Sequence, residues 1–355
     1  EPLYESMREF FEKKYKIPII IDTTASGYHL STNIESDSKP FNELAALGKG
    51  HLHQELLDKY STNDPSDCKR YKATPEKFAY AYYGLGKIMQ YAALELIKNF
   101  KGNLPVTIGD VAIGSEKYPK HGISIDLSQY CDPYYIRVIR LPASTHQKHI
   151  IKNFADKQPA IDIIRQRGMS YKETLELMWD QDKAIKYYTT VSGKVPVSGK
   201  GWLDLIKNYK KSEVYKLHLQ FEKNEESVDL DKLALELPPC LSQIFHHPFP
   251  NVLKPTNLKS LSQILLKKGM TVNQIKYIVN ELYEKIDFEW EPTHKYDRRQ
   301  KANFWMSYYT TETLLGLNNE ETSCKVHKRK GYGICPKSLD DFCDVDLADF
   351  SKEMM

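Results

Sequence analysis

The sequence predicts an α+β protein whose second half is chiefly helical. Three observations support this: apolar residues at helical spacing near the start, short apolar strands between residues 17 and 141, and helical patterns that follow a glycine- and proline-rich stretch at 193–201. With 355 residues the chain is long enough for two domains and a small third one. A mixed sheet in the first part and a helical second part are therefore expected.

The first 165 residues alternate between helical and strand patterns. Apolar residues recur at helical spacing over 3–15, and IPIII at 17–21 predicts a buried strand. The segment 31–74 is polar and predicts irregular structure. Thr74 and Pro75 then form the cap and first turn of a helix that extends to about Phe100. Further strands are predicted near 105–113, 122–128 and 134–141.

Helices dominate from Ser170 onward. Ser170 and Glu173 form a capping box that begins a helix ending near Thr190. Beyond 193–201, a predicted hinge, helical patterns prevail apart from a polar stretch at 222–231. One helix covers 257–268 and ends at Gly269, and Thr271 caps another that extends to about Ile286.

Composition narrows the class of protein. No apolar run approaches the roughly 20 residues of a membrane span, and no signal peptide is recognised, so a soluble, cytoplasmic protein without a membrane partner is expected. The 50 basic and 47 acidic side chains nearly balance, so local clusters matter more than the net charge of +3. Basic runs at 207–216, 295–301 and 325–330, the first two of which contain tyrosines, form a combination that binds single-stranded nucleic acid. The alternative is that each run is a solvated helix face.

Two segments contain the candidate catalytic chemistry. After the first strand, TTASGYHLS places Ser26 and His29 in a turn whose N–H groups and imidazole could contact an anion. Asp126 lies between Ile125 and Leu127, where a carboxylate is costly unless it binds a cation or accepts several hydrogen bonds. The alternative is a structural, capping aspartate. Three further donors follow, namely Arg140, His146 and Lys148. Together with Ser26, His29 and Asp126 they suit a triphosphate held beside a divalent metal.

SGYH at 26–29, SID at 124–126 and RLPASTHQK at 140–148 resemble, in this order, motifs of the archaeo-eukaryotic primase and primase-polymerase family. The resemblance implies that Asp126 binds Mg²⁺ or Mn²⁺. It also implies that the triphosphate of the incoming nucleotide is contacted by Ser26, His29, Arg140, His146 and Lys148. The family's D-x-D metal motif is absent between Glu1 and Ser26, where Asp22 alone is a poor substitute. Two explanations stay open: a motif upstream of Glu1, or a circular permutation that uses Asp344 and Asp346.

The second half resembles the C-terminal domain of the primase large subunit. The matching stretches are LPPC at 237–240, ILLKKGMTVNQI at 264–275 and SCKVHKRKGYGICP at 323–336. The resemblance implies a [4Fe-4S] cluster on Cys240, Cys324, Cys335 and Cys343, whose spacing differs from the paired cysteines of zinc fingers. Thiols without metal, zinc binding and disulfides are the alternatives. Lys254, Asn257 and Lys259 are candidates for contacts with the template and the 5′-triphosphate.

Together these resemblances imply a single-chain primase. Its predicted domains are a catalytic domain at 1–165, a helical bridge at 166–235 and a large-subunit-like domain at 236–355. The expected activity is synthesis of short RNA or DNA primers on single-stranded DNA by two-metal nucleotidyl transfer, with nucleoside triphosphates as substrates. Its partners could include replication proteins. The alternative is a catalytically inactive protein of the same fold that binds single-stranded nucleic acid.

Overall fold

A computed structural model describes most of the chain. The described residues are 1–25, 27–61, 75–109, 122–132, 141–145, 160–246, 254–285 and 297–317, together with Cys324, Cys335, Leu347 and 349–350. Helices dominate them and strands form two small sheets, so the predicted α+β class is confirmed. None of the helices described in these ranges is both long and apolar enough to cross a membrane.

The chain divides into two compact units, each assembled from separated segments. The first unit comprises Glu1–Glu43, Phe100–Gly102 and Ile136–Asn208. The second comprises Leu44–Asn99, Asn103–Tyr135 and Tyr209–Met355. The predicted domains are consecutive segments, whereas these units are not.

The described strands form one sheet in each unit. Their bounds are β1 Ile20–Thr24, β2 Gly27–Ser31, β3 Val106–Ile108, β4 Ile123–Ile125 and β5 Ile163–Ile164. In the first unit β1 is the central strand and pairs antiparallel with both β2 and β5. In the second unit β3 and β4 pair in parallel.

The described α-helices are distributed over both units. Their bounds are α1 Pro2–Arg8, α2 Lys39–Gly48, α3 Gln54–Ser61, α4 Glu76–Asn99, α5 Tyr171–Met178, α6 Gln181–Tyr188, α7 Lys200–Lys210, α8 Glu213–Glu222, α9 Leu230–Leu235, α10 Pro239–His246, α11 Pro255–Lys267, α12 Val272–Lys285 and α13 Arg298–Leu314. The chain continues from α1 into a π-helical segment, Glu9–Lys14, and a 3₁₀ turn, Ser128–Tyr130, follows β4.

Two predictions that rest on local capping signals are confirmed, while the predicted cap Thr74 lies outside the described residues. Ser170 Oγ accepts a hydrogen bond from Glu173 N, and the Glu173 carboxylate accepts one from Ser170 N in return, which completes the capping box. Thr271 Oγ1 likewise accepts from Gln274 N at 3.1 Å where α12 begins. The preceding helix ends before Gly269, whose φ of 80° is a conformation that favours glycine.

Predictions that need tertiary information are less accurate. The segment 31–74 contains α2 and α3, so the irregular structure predicted there is wrong for these residues. Leu56 and Leu57 of α3 bury their side chains with Leu52 and Ala79, and this packing stabilises a short helix with a weak sequence signal. The first strand begins at Ile20 rather than at residue 17, and the helix predicted to reach about Thr190 is interrupted between α5 and α6.

The second unit has its core around α13. Ala302, Trp305, Met306 and Tyr309 are fully buried on this helix, which packs against α8, α11 and α12. The Trp305 ring stacks on Tyr309 with 5.6 Å between ring centroids. These aromatic groups form a large apolar centre to which the parallel strands attach, since the Tyr309 hydroxyl donates to the Ile108 carbonyl of β3.

A buried ion pair joins α4 and α8. Lys87 Nζ lies 2.7 Å from Glu222 Oε1, and both side chains are largely buried. Glu222 also contacts His51 Nδ1 at 3.3 Å and accepts a hydrogen bond from the Tyr83 hydroxyl. Burial opposes ionisation of Glu222, but Lys87 and His51 outweigh that cost, so the pKa of Glu222 is strongly lowered. The carboxylate is therefore ionised in the folded state at neutral pH.

Candidate functional site

The SGYH motif lies at a turn between two paired strands. In the antiparallel register of β1 and β2, Asp22 is opposite His29 and Thr24 is opposite Gly27. Thr24 Oγ1 donates to the Gly27 carbonyl at 3.2 Å and tightens the turn. Ser26 lies outside the described residues. His29 is placed on β2 rather than in the turn where the sequence analysis expected it, and its side chain is half-buried.

The PAST portion of the RLPASTHQK motif, residues 142–145, lies beside the residues that lead into β5. Ala143 N donates to the Asp162 carbonyl and Asp162 N donates to the Ser144 carbonyl, both at 2.9 Å, and Thr145 forms an antiparallel bridge with Ile161. Because β5 pairs with β1, the same layer contains residues of both motifs. Arg140, His146 and Lys148 lie outside the described residues.

Two aspartates share a face of this sheet with His29. Asp22 is paired with His29 on one side and with Ile164 on the other. Asp162 lies directly before β5, and its neighbours Ile161 and Ile163 pack into one apolar cluster on one side, so Asp162 projects to the opposite side, which Ile164 and Asp22 share. Asp22 is 5% exposed and Asp162 is fully buried. We call Asp22, His29 and Asp162 the acidic sheet face.

Tyrosine side chains hold the strand beside this face. The Tyr188 hydroxyl donates to the Asp162 carbonyl and accepts from Ile164 N, each at 2.9 Å. Burial, with a contribution from the Asp22 carboxylate, raises the pKa of Tyr188 to about 12. Tyr188 is therefore a neutral hydrogen-bonding group at physiological pH, and it fixes the backbone from Asp162 to Ile164. Among the described residues, the buried Ser144 Oγ has no hydrogen-bond partner.

Sequence analysis missed Asp162 and discounted Asp22. The apolar run AIDII at 160–164 surrounds Asp162 with strand-forming residues, which is the same signal that singled out Asp126. The pairing of β1 with β5 joins residues about 140 positions apart, so no local pattern could have placed the two aspartates together. Their shared face became visible only with the strand register.

Asp126 lies in the second unit, directly after β4. Its side chain is exposed, and Oδ1 accepts a hydrogen bond from Ser128 N at 2.8 Å at the start of the 3₁₀ turn. The expected position within a buried strand is therefore not observed. This bond corresponds to the capping role that sequence analysis kept as its alternative. Metal binding by Asp126 stays a prediction.

The predicted cluster ligands are partly described. Cys240 is buried in the first turn of α10, and Cys324 and Cys335 are half-buried. Leu347 N donates to Cys324 Sγ at 3.2 Å. No disulfide joins the cysteines within the described ranges, and these ranges contain no group of three or more His, Cys, Asp or Glu side chains that could hold a metal ion. Cys343, Asp344 and Asp346 lie outside them.

The lysines proposed for template contacts lie at one end of α11. Lys254 is the N-cap residue, and Asn257 and Lys259 follow in the first turns with buried side chains. Burial lowers the pKa of Lys254. A partly desolvated cation at a helix N-terminus favours an anionic neighbour, because both the charge and the helix dipole attract it.

Comparison of the chain with protein-family models, curated proteins and solved structures gives no match.

Proposed function

We propose that the chain is a template-directed nucleotidyltransferase of the primase type, which joins nucleotides on single-stranded DNA. One observation supports this proposal most directly: residues of the GYH and PAST motifs, 113 or more positions apart in sequence, belong to one layer of the first unit. Donors from both motifs would then act on one triphosphate, as the resemblance to the primase family implies.

The acidic sheet face suggests how charge is organised there. His29 is opposite Asp22, so the carboxylate lies on the same face and can orient the imidazole toward a phosphate oxygen. Asp22 and Asp162 offer oxygen ligands of the kind that Mg²⁺ or Mn²⁺ prefers. A bound divalent cation would neutralise triphosphate charge. The chain's own contribution is to position the phosphates and to exclude water from the two buried carboxylates.

Primer synthesis by purified protein tests the proposal. The protein is incubated with single-stranded DNA, labelled nucleoside triphosphates and Mg²⁺ or Mn²⁺, and the products are separated by length. Short template-dependent products are expected. Replacing His29 by Ala should lower their yield by about a hundredfold, as loss of one positioned donor does. His246→Ala, an exposed histidine at the end of α10, is the matched control and should retain activity.

A nucleic-acid-binding protein without catalysis is the second candidate. The observation that favours it is the exposed, capping position of Asp126, together with the absence of a three-ligand metal group among the described residues. The same assay separates the candidates. Tight binding of single-stranded DNA without synthesis in either metal would support the binding protein and exclude the transferase.

A further inference from the structure

A charged cleft in the first unit is lined by residues other than those of the acidic sheet face. Its volume is about 590 Å³, and it is lined by Glu5, Arg8, Glu12, Lys13, Lys16, Pro18 and Arg167. Four of these side chains are cations and two are carboxylates. Among the described residues the lining contains no aromatic ring on which a base could stack.

Glu12 organises the arginines of the cleft. Its carboxylate accepts from Arg8 Nε at 2.8 Å through one oxygen and lies 2.9 Å from an Arg167 terminal nitrogen through the other. Burial disfavours the Glu12 carboxylate, but hydrogen bonds from Arg167 and Arg8 outweigh this effect, so its pKa is lowered. Both guanidinium groups are thereby oriented before any ligand arrives, and Arg167 remains 72% exposed.

The backbone that carries these residues is unusual. Glu12 and Lys13 lie in the π-helical segment, where Tyr15 N donates to the Phe10 carbonyl at 3.3 Å, five residues earlier. Such turns are rare and occur frequently at functional sites. Lys16 follows with a φ of 56°, a left-handed conformation that is uncommon for lysine. Two local departures from ordinary helix geometry thus shape the wall of the cleft.

We propose that this cleft binds a chain of two or more phosphates. Planar guanidinium forks and a lysine ammonium match phosphate oxygens, and the volume exceeds that of a single phosphate. Two sources share this chemistry: the backbone of a single-stranded nucleic acid and the oligophosphate of a nucleotide. The inference goes beyond the proposed function, because binding here requires no catalysis and is measured without synthesis.

Paired charge variants test the site. Lys16→Asn with Arg167→Gln removes two positive charges from the cleft; asparagine tolerates the left-handed conformation, and Glu12 keeps Arg8 as its partner. Lys172→Gln with Lys186→Gln removes two exposed charges elsewhere in the same unit. Affinities for inorganic tripolyphosphate and for labelled oligo(dT) are measured at low salt by calorimetry and fluorescence anisotropy. Circular dichroism verifies that each variant is folded.

The cleft variant should weaken binding of one or both probes at least tenfold, while the control pair changes it by less than twofold. A loss confined to tripolyphosphate identifies a nucleotide oligophosphate as the ligand, and a loss confined to oligo(dT) identifies a nucleic-acid backbone. Glu5→Gln, which removes a negative charge from the lining, should strengthen the same interaction about threefold. Equal weakening by both charge pairs, or no binding of either probe by the parent protein, would overturn the proposal.

Discussion

Asp126 accepts its hydrogen bond from Ser128 N through one side-chain oxygen, and this determines how its proposed catalytic role can be tested. Asparagine retains such an oxygen, so Asp126→Asn should preserve the turn while it removes the charge. We expect nucleotide incorporation to fall by several orders of magnitude, with binding of single-stranded DNA nearly unchanged. Primer synthesis and DNA affinity are measured on the same preparation. Undiminished synthesis would show that Asp126 only caps the 3₁₀ turn.

Buried His218 should make stability depend on pH. Its Nδ1 is 2.8 Å from the Tyr209 hydroxyl, and burial, aided by the charge of Lys87, lowers its pKa well below 6.5 despite nearby Glu222. The unfolded chain therefore binds a proton near pH 6.5 that the folded chain does not. Stability from this group is present above pH 6.5 and is lost as pH falls, by up to about 1.4 kcal/mol per pH unit.

Urea unfolding between about pH 7.5 and about pH 3.5 measures this dependence. His218→Asn keeps a group able to bond Tyr209 and should flatten the curve above pH 5. Below pH 5 the carboxylate of Glu222 contributes a further loss of stability. Because the pKa of Glu222 is lowered in the folded state, the protein loses stability as pH falls below the unfolded value of about 4.5. This loss should remain in His218→Asn. An unchanged slope in His218→Asn would assign the effect to other groups.

The part of the candidate site that could be predicted from the sequence is the part that depends on residues close together in the chain. His29 was recognised from its motif, but its strand was missed because SGYH was interpreted only as a turn. The alternation of apolar and polar residue types at 28–31 was the available signal. Asp22 and Asp162 could not be paired from sequence, since their relation depends on a register between distant strands.

At the scale of elements, a close crossing of two helices depends on glycine. A Cβ added at Gly84 of α4 would lie 2.1 Å from the Leu44 carbonyl oxygen of α2, and one added at Gly48 would lie 2.0 Å from the Tyr80 carbonyl oxygen. Gly84→Ala should therefore destabilise the protein by about 1–3 kcal/mol, because the helices must separate. Gly199→Ala, where a Cβ meets no neighbouring atom, is the control for thermal unfolding. Equal melting temperatures for the two variants would contradict this close approach.

Element type was predictable where the determinant is local. The ends of α5 and α12 follow from Ser170 and Thr271, whose hydroxyls cap the helices. The start of α2 also has such a signal, which the prediction of irregular structure overlooked: Ser38 Oγ accepts from Phe41 N. In contrast, α3 gains its stability from burial of Leu56 and Leu57 with Ala79 of α4, and its own propensity was too weak to predict it.

At the scale of the whole molecule, the cysteine prediction concerns segments far apart in the chain. Anaerobically purified protein should absorb broadly near 400 nm and contain about four irons per chain if Cys240, Cys324, Cys335 and Cys343 hold a cluster. Cys240→Ser should lower the iron content, whereas Cys131→Ser, which alters a buried cysteine outside the predicted set, should not. Colourless, iron-free protein would instead favour structural thiols.

The central position of β1 also affects when the protein can fold during synthesis. Residues 20–31 can form a hairpin as soon as they leave the ribosome, but its third strand is translated about 130 residues later. At 5–20 residues per second this interval is on the order of 10 s, during which one edge of β1 is unpaired. An exposed edge is a template for intermolecular pairing. Slower translation after residue 31 should therefore increase aggregation of the nascent chain, and a chaperone that covers the hairpin should reduce it.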